Sequence, residues 1–186
     1  MYFLTSLPSN RDIFMNPSGK VMLNYGAMCG LASFAFFILL YYLGYNALGL
    51  ASLLGAWIPV VFICLATGYF RDRIAGGFMT YGQGFRIGFL TASAGAFLFA
   101  LMIYIYGTAL NPDFVEIYKT GAMEELEKYK TPLMEQMYDA SIEGIKNTTM
   151  FAIAQDAFLS KTFGGVLISL ITAGFYRRHK IFQEPE

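Results

Sequence analysis

The sequence predicts an all-α integral membrane protein: a four-helix bundle with an extramembrane helical hairpin between spans 3 and 4. Three observations carry this. Charged residues make up 14% of the 186 and hydrophobic residues 56%, whereas a soluble domain carries roughly 25% charge. Mean hydropathy is +0.48. Positions 21 to 70 hold no Asp, Glu, Lys or Arg, and the acids gather instead in one block at 111–149. The length suits one membrane domain, 1–186.

The first charge-free stretch is long enough for two crossings, because one span takes ~20 residues. "GYNALG" at 44–49 is its one good turn by Gly and Asn content. Span 1 is therefore placed at about 21–43 and span 2 at about 48–70. Pro59, two residues after Trp57, removes a helical hydrogen bond in span 2 and predicts a kink against the Gly55 carbonyl. Thr80 and Gln83 have the spacing of a capping box, so a helix starts near Thr80. Arg86 lies early in it, where a long side chain reaches headgroups. Residues 87–107 carry no charge and form span 3. Its far face is Phe, Leu, Ala, Ile and Tyr, where a soluble helix would show a polar stripe.

Composition then changes. Asn111-Pro112-Asp113 reads as an N-cap, a proline at the first helical position and an acid on the helix dipole. Thr131-Pro132 marks a second start. Two amphipathic helices follow, about 112–130 and 132–147, within an insert of about 111–149. Phe114, Ile117 and Tyr118 form one apolar stripe; Leu133, Met137, Ile142 and Ile145 form the other. Span 4 is placed at about 157–176, before "YRRHK".

Four spans put 1–20, 71–86 and 177–186 on one side, with eight basic and four acidic residues. The other side has five basic and nine acidic residues. The positive-inside rule then expects both termini in the cytoplasm and the acidic hairpin outside. Tyrosines 41, 42, 45, 104 and 106 fall at one interface, and 69, 81 and 176 at the other, as an aromatic belt predicts. The N-terminal "MYFLTSLPSNRDIFMNPSGK" has too short an apolar run for a signal sequence.

"YGQGFRIGF", the small-residue span after it, "NPDF" opening the acidic insert, and "FGGVLISLITAGFYRR" together resemble a bacterial membrane-protein family. It is catalogued as domain of unknown function 4199, DUF4199. The resemblance covers about 20–180 and implies a four-span protein of the bacterial inner (cytoplasmic) membrane. It implies no activity and carries over no catalytic residue.

Several residues invite a functional reading beside a plainer one. Gly26 and Gly30, Gly84 and Gly88 with Ala92 and Ala96, and Gly165, Ser169 and Ala173 recur every four residues. Such faces serve a homo-oligomer or packing within one bundle. Cys29 and Cys64 fall at similar depths, as a metal or redox pair or as two small hydrophobes. Asp156 and Lys161 are the only charges in or at the outer mouth of a span. They point about 140° apart on a helix, and are read as ligand or ion residues or as snorkelling interfacial charges. His179 belongs to a basic cluster facing anionic lipid. Asn147-Thr148-Thr149 is a formal glycosylation sequon, and "GGFMTYGQG" reads as a flexible loop.

A single histidine removes two-histidine metal sites and an intramembrane Ser–His pair. No Walker A motif occurs, and zero net charge points to no nucleic acid. No catalytic, cofactor or metal residues are assigned, and no cofactor is expected. The expected function is non-enzymatic, acting through protein partners as a scaffold or assembly factor; the alternative is a small transporter or channel subunit. Membrane lipids, self-association and an envelope protein are the expected partners. Polar residues within the spans are few, and most of them are expected to bond back to their own helix.

Overall fold

The computed structural model describes residues 17–128 and 135–178. Helix α1 spans Pro17–Tyr42. A 3₁₀ segment, Leu50–Gly55, leads into α2, Trp57–Tyr69, which ends in a π turn at Phe70–Ile74. Helix α3 spans Tyr81–Ile105 and also ends in a π turn, Tyr106–Leu110. Helices α4, Phe114–Lys128, and α5, Glu135–Lys146, form the hairpin. Helix α6 spans Met150–Tyr176. Four segments are long and apolar enough to cross a membrane: 17–42, 50–74, 81–110 and 150–176. Their outward faces carry Trp57, Phe97, Phe163, Ile171 and Phe175, all exposed, as a surface solvated by lipid requires.

The spans alternate in direction, and α3 is the central helix, packed on α1, α2 and α6. Its contacts explain the glycines. A β-carbon on Gly26 would lie 2.7 Å from Ala94 Cβ, and one on Gly30 would lie 2.8 Å from the Gly95 carbonyl oxygen. Gly84 faces Ala173, Gly88 faces Ser169, and Gly165 faces Ala92. All three small-residue faces are thus consumed inside the bundle, where close backbone approach supplies dispersion contact. Apolar clusters fill both ends. Val21, Ala66, Phe70, Met79 and Ile87 meet at the end where α1 begins. Phe37, Leu40, Phe99, Ile103, Phe114, Met150 and Ile153 meet at the hairpin end.

Local signals set most boundaries. The Gln83 N–H donates to Thr80 Oγ1 at 3.3 Å and the Thr80 N–H to Gln83 Oε1 at 3.0 Å, completing the capping box. Gly44, at φ +80°, makes the turn after α1. The 75–80 loop is not a free tether: Met79 and Arg178 exchange both backbone hydrogen bonds, at 3.1 and 3.0 Å, and Met79 is buried. Arg71 pairs with Asp72 at 2.7 Å and lies over the Tyr176 ring.

Two expectations need correction, and two helices extend beyond the expected spans. The helix carrying span 4 starts at Met150, seven residues before the expected span, because Thr149 caps it by accepting from the Ala152 N–H. The helix carrying span 3 runs from its Thr80 cap through the π turn, 81–110, and contains the expected 87–107. Pro59 does not bend a continuous helix: it sits in the first turn of α2, where its missing N–H costs no bond. The helical change comes before it, where 3₁₀ gives way to α at Ala56. Helix α4 begins at Phe114, and Asn111 does not cap it; the Asn111 amide donates to the Tyr41 hydroxyl at 2.6 Å. The Thr131-Pro132 start, Leu133, the Met137 side chain and His179 lie outside the described residues.

Candidate functional site: a cavity under the hairpin

Helices α1 and α6 are held apart by α2 and α3, and at the hairpin end the gap between them is a cavity of about 390 Å³. That lies within the usual 300–1,000 Å³ of small-molecule sites. Phe36, Phe37 and Leu40 of α1 form one wall, and Leu53, Ile58 and Pro59 form a second. Phe99 of α3 closes the back and Tyr118 of α4 roofs it. The wall from α6 brings Asp156, Ser160 and Lys161 in beside the apolar Ile153, Ala157 and Ile168, with Gly164 next to them. Adjacent glycines divide two tasks. Gly165 is pressed against Ala92, whereas a side chain at Gly164 would meet open space.

The position of Lys161 is the unusual feature. It lies near the middle of the 27-residue α6, about 16 Å from the helix start at the helical rise. It does not snorkel outward. Its Nζ sits 4.2 Å from the centroid of the buried Phe99 ring. Phe99 is seven residues before Tyr106 on α3, so the ammonium is about 10 Å deeper than that tyrosine. Among the described residues Lys161 has no carboxylate within ion-pair distance. A desolvated cation–π contact contributes about 2 kcal/mol, and removing an ammonium from water costs several kcal/mol. The ring alone therefore leaves this charge under-compensated.

Asp156 lines the same cavity, about 7 Å nearer the hairpin along α6. The two charges point apart on the helix, as the five-residue spacing requires, and form no ion pair. The cavity nonetheless wraps far enough around α6 to include both. Burial, with the Asp156 and Glu125 carboxylates nearby, holds the Tyr118 hydroxyl above its ordinary pKa. It therefore stays a proton donor at neutral pH.

The roof is fixed to the bundle by side chains. Glu125 of α4 accepts the Leu50 N–H at 3.3 Å, capping the 3₁₀ segment, and abuts Gly49. Phe114 joins an aromatic cluster with Phe37, Tyr41 and Tyr106, at centroid separations of 5.8 to 5.9 Å. Sequence reasoning missed Phe99 and Tyr118 as partners of the α6 charges. One signal was available: Thr149 as a helix cap, rather than as part of a sequon, sets Lys161 deep in the span.

The other candidates separate. Cys29 is buried against Gly95, while Cys64 lies on α2 beside the Tyr176 hydroxyl, and both thiols are free. No group of three His, Cys, Asp or Glu comes together among the described residues. Ser169 and Thr172 bond back to their own helix, at 2.6 and 3.0 Å. Thr67, Thr91 and Ser93 do not: their buried hydroxyls have no hydrogen-bond partner among the described residues.

The model of one family, described as "Protein of unknown function (DUF4199)", matches residues 24–178. The chain belongs to this family. The match takes in most of the first span of this DUF4199 protein, the other three spans, the hairpin and every residue of the cavity. No curated protein and no solved structure matches it.

Proposed function

We propose that this DUF4199 protein is a non-enzymatic, multi-pass protein of the bacterial inner membrane that works by holding a small molecule in the cavity under its hairpin. The single observation that carries the reading is Lys161, turned inward over Phe99 beside open volume. Intramembrane ionisable groups facing a cavity mark ligand or ion pathways by default. This favours a binding or transport component, with both termini in the cytoplasm. The orientation has support from Arg71, Arg73, Arg86, Arg177 and Arg178, which stand at the end opposite the acidic hairpin.

Native mass spectrometry of the protein released gently from its membrane tests this. Wild-type protein should carry a non-covalent adduct, and Gly164→Leu, which fills the open side, should remove it. A bare wild-type protein, or an adduct indifferent to Gly164→Leu, would end the reading.

A second reading, a scaffold or assembly factor, has its own support. Helix α4 is held against the bundle by Glu125, while Glu116, Glu124 and Glu127 stay exposed. On this reading crosslinking in native membranes captures an envelope protein with the full chain and not with a chain lacking 113–147. Capture of the same protein by both chains would remove the hairpin from the account.

A further inference from the structure

We propose that the cavity holds the headgroup of a zwitterionic aminophospholipid, its phosphate at Lys161 and its primary amine at Asp156. This rests on the reading of the cavity as a ligand site and adds the chemical class. The argument starts from the order of charges. Lys161 is the deeper group and Asp156 the shallower, about 7 Å apart along α6. In a membrane phospholipid the phosphate adjoins the glycerol and the amine lies beyond it, toward water. The lipid therefore presents minus then plus from the membrane interior outward, and the cavity presents plus then minus.

The need for an anion is specific to Lys161. Its one aromatic contact does not offset its desolvation, and no carboxylate reaches it among the described residues. A phosphate accepts several charge-assisted hydrogen bonds from an ammonium. A fatty acid would meet this need and make no use of Asp156, which lines the same cavity. A polar solute would meet both charges and leave the walls of Phe36, Leu53 and Ile58 unmatched. The cavity opens sideways past Gly164, between the exposed Leu53 and Ser160. Acyl chains lead away through that opening along an apolar surface. At the roof, the Tyr118 hydroxyl remains protonated and can donate to the headgroup.

The test uses the full chain in nanodiscs of palmitoyl-oleoyl phosphatidylethanolamine and phosphatidylglycerol in equal parts, with native mass spectrometry of the released protein. Both lipids carry the phosphate; only the first carries the amine. Wild-type protein should retain the ethanolamine lipid about tenfold over the glycerol lipid. Asp156→Asn, at an exposed position, should abolish the preference while lipid is still bound. Lys161→Met should lose both lipids, and Gly164→Leu should exclude both. Free phosphoethanolamine should compete poorly, since it lacks the chains. Equal retention of the two lipids overturns the inference and leaves a ligand-binding cavity standing. So does retention of a non-lipid molecule alone, or efficient competition by free phosphoethanolamine. Retention that survives Gly164→Leu, or no retention by wild type, overturns both readings. If Lys161→Met fails to fold, the Asp156→Asn comparison still decides.

Discussion

Gly165→Leu is expected to break the contact between α3 and α6 and to be the most destabilising single change in the spans. The new β-carbon would overlap the Ala92 side chain, whose single methyl has no rotamer by which to move. Overpacking costs typically ~1–3 kcal/mol and more where the backbone must shift. Here the obstructing methyl is fixed to the α3 backbone, which packs on α6 at Gly84 and Gly88 as well, so the upper part of that range applies. Gly164→Leu provides the control. It is adjacent in sequence, makes the same chemical change and faces open space, so it should stay within about 0.5 kcal/mol of wild type. Reversible unfolding in lipid-free micelles measures both. Equal losses for the two variants would mean that the register of α6 on α3 is wrong.

The second large effect is expected at the hairpin end. Phe37 is 2% exposed, and its ring lies 5.8 to 6.2 Å from those of Phe34, Phe99, Tyr106 and Phe114. Replacing a core Phe with Ala costs ~3–5 kcal/mol in water-soluble proteins, and lipid weakens the transfer part of that cost, so the low end applies. The loss should also be local. Phe37 joins α1 to the start of α4 through Phe114, so hydrogen exchange should quicken in α4 and in the 3₁₀ segment. Amides around Gly84 and Thr91, at the other end of α3, should keep their protection. Phe97→Ala, at a ring 62% exposed on the lipid-facing side of α3, should change neither measurement appreciably. Uniform loss of protection in Phe37→Ala would show that the cluster supports the whole bundle rather than its roof.

Much of the architecture was legible from charge alone, because a charge-free run of fifty positions has few places to go but lipid. The Thr80 cap was legible because a capping box is local: its two partners lie three residues apart. The small-residue faces were legible as faces, but which helix each one meets is a long-range fact. Gly26 finding Ala94 depends on the parallel course of α1 and α3. The cap that starts α6 went unread, because Thr149 was counted in a glycosylation sequon and span 4 was placed after Asp156. A charge turned into a cavity leaves no trace in a hydropathy count. The cavity was illegible for the same reason: its volume depends on Phe99, Tyr118 and a 3₁₀ segment converging from three parts of the chain. The switch at Ala56 follows from a proline that sequence alone assigned to a kink.

The reciprocal backbone bonds between Met79 and Arg178 make the two ends of the bundle mechanically unlike. At that end α6 is latched to the loop that begins α3. At the opposite end, among the described residues, only rings and side chains cross from one span or hairpin helix to the next. The bundle is therefore a pair of tongs: prising its jaws apart beside Lys161 severs no main-chain pairing, whereas the pivot cannot open without doing so.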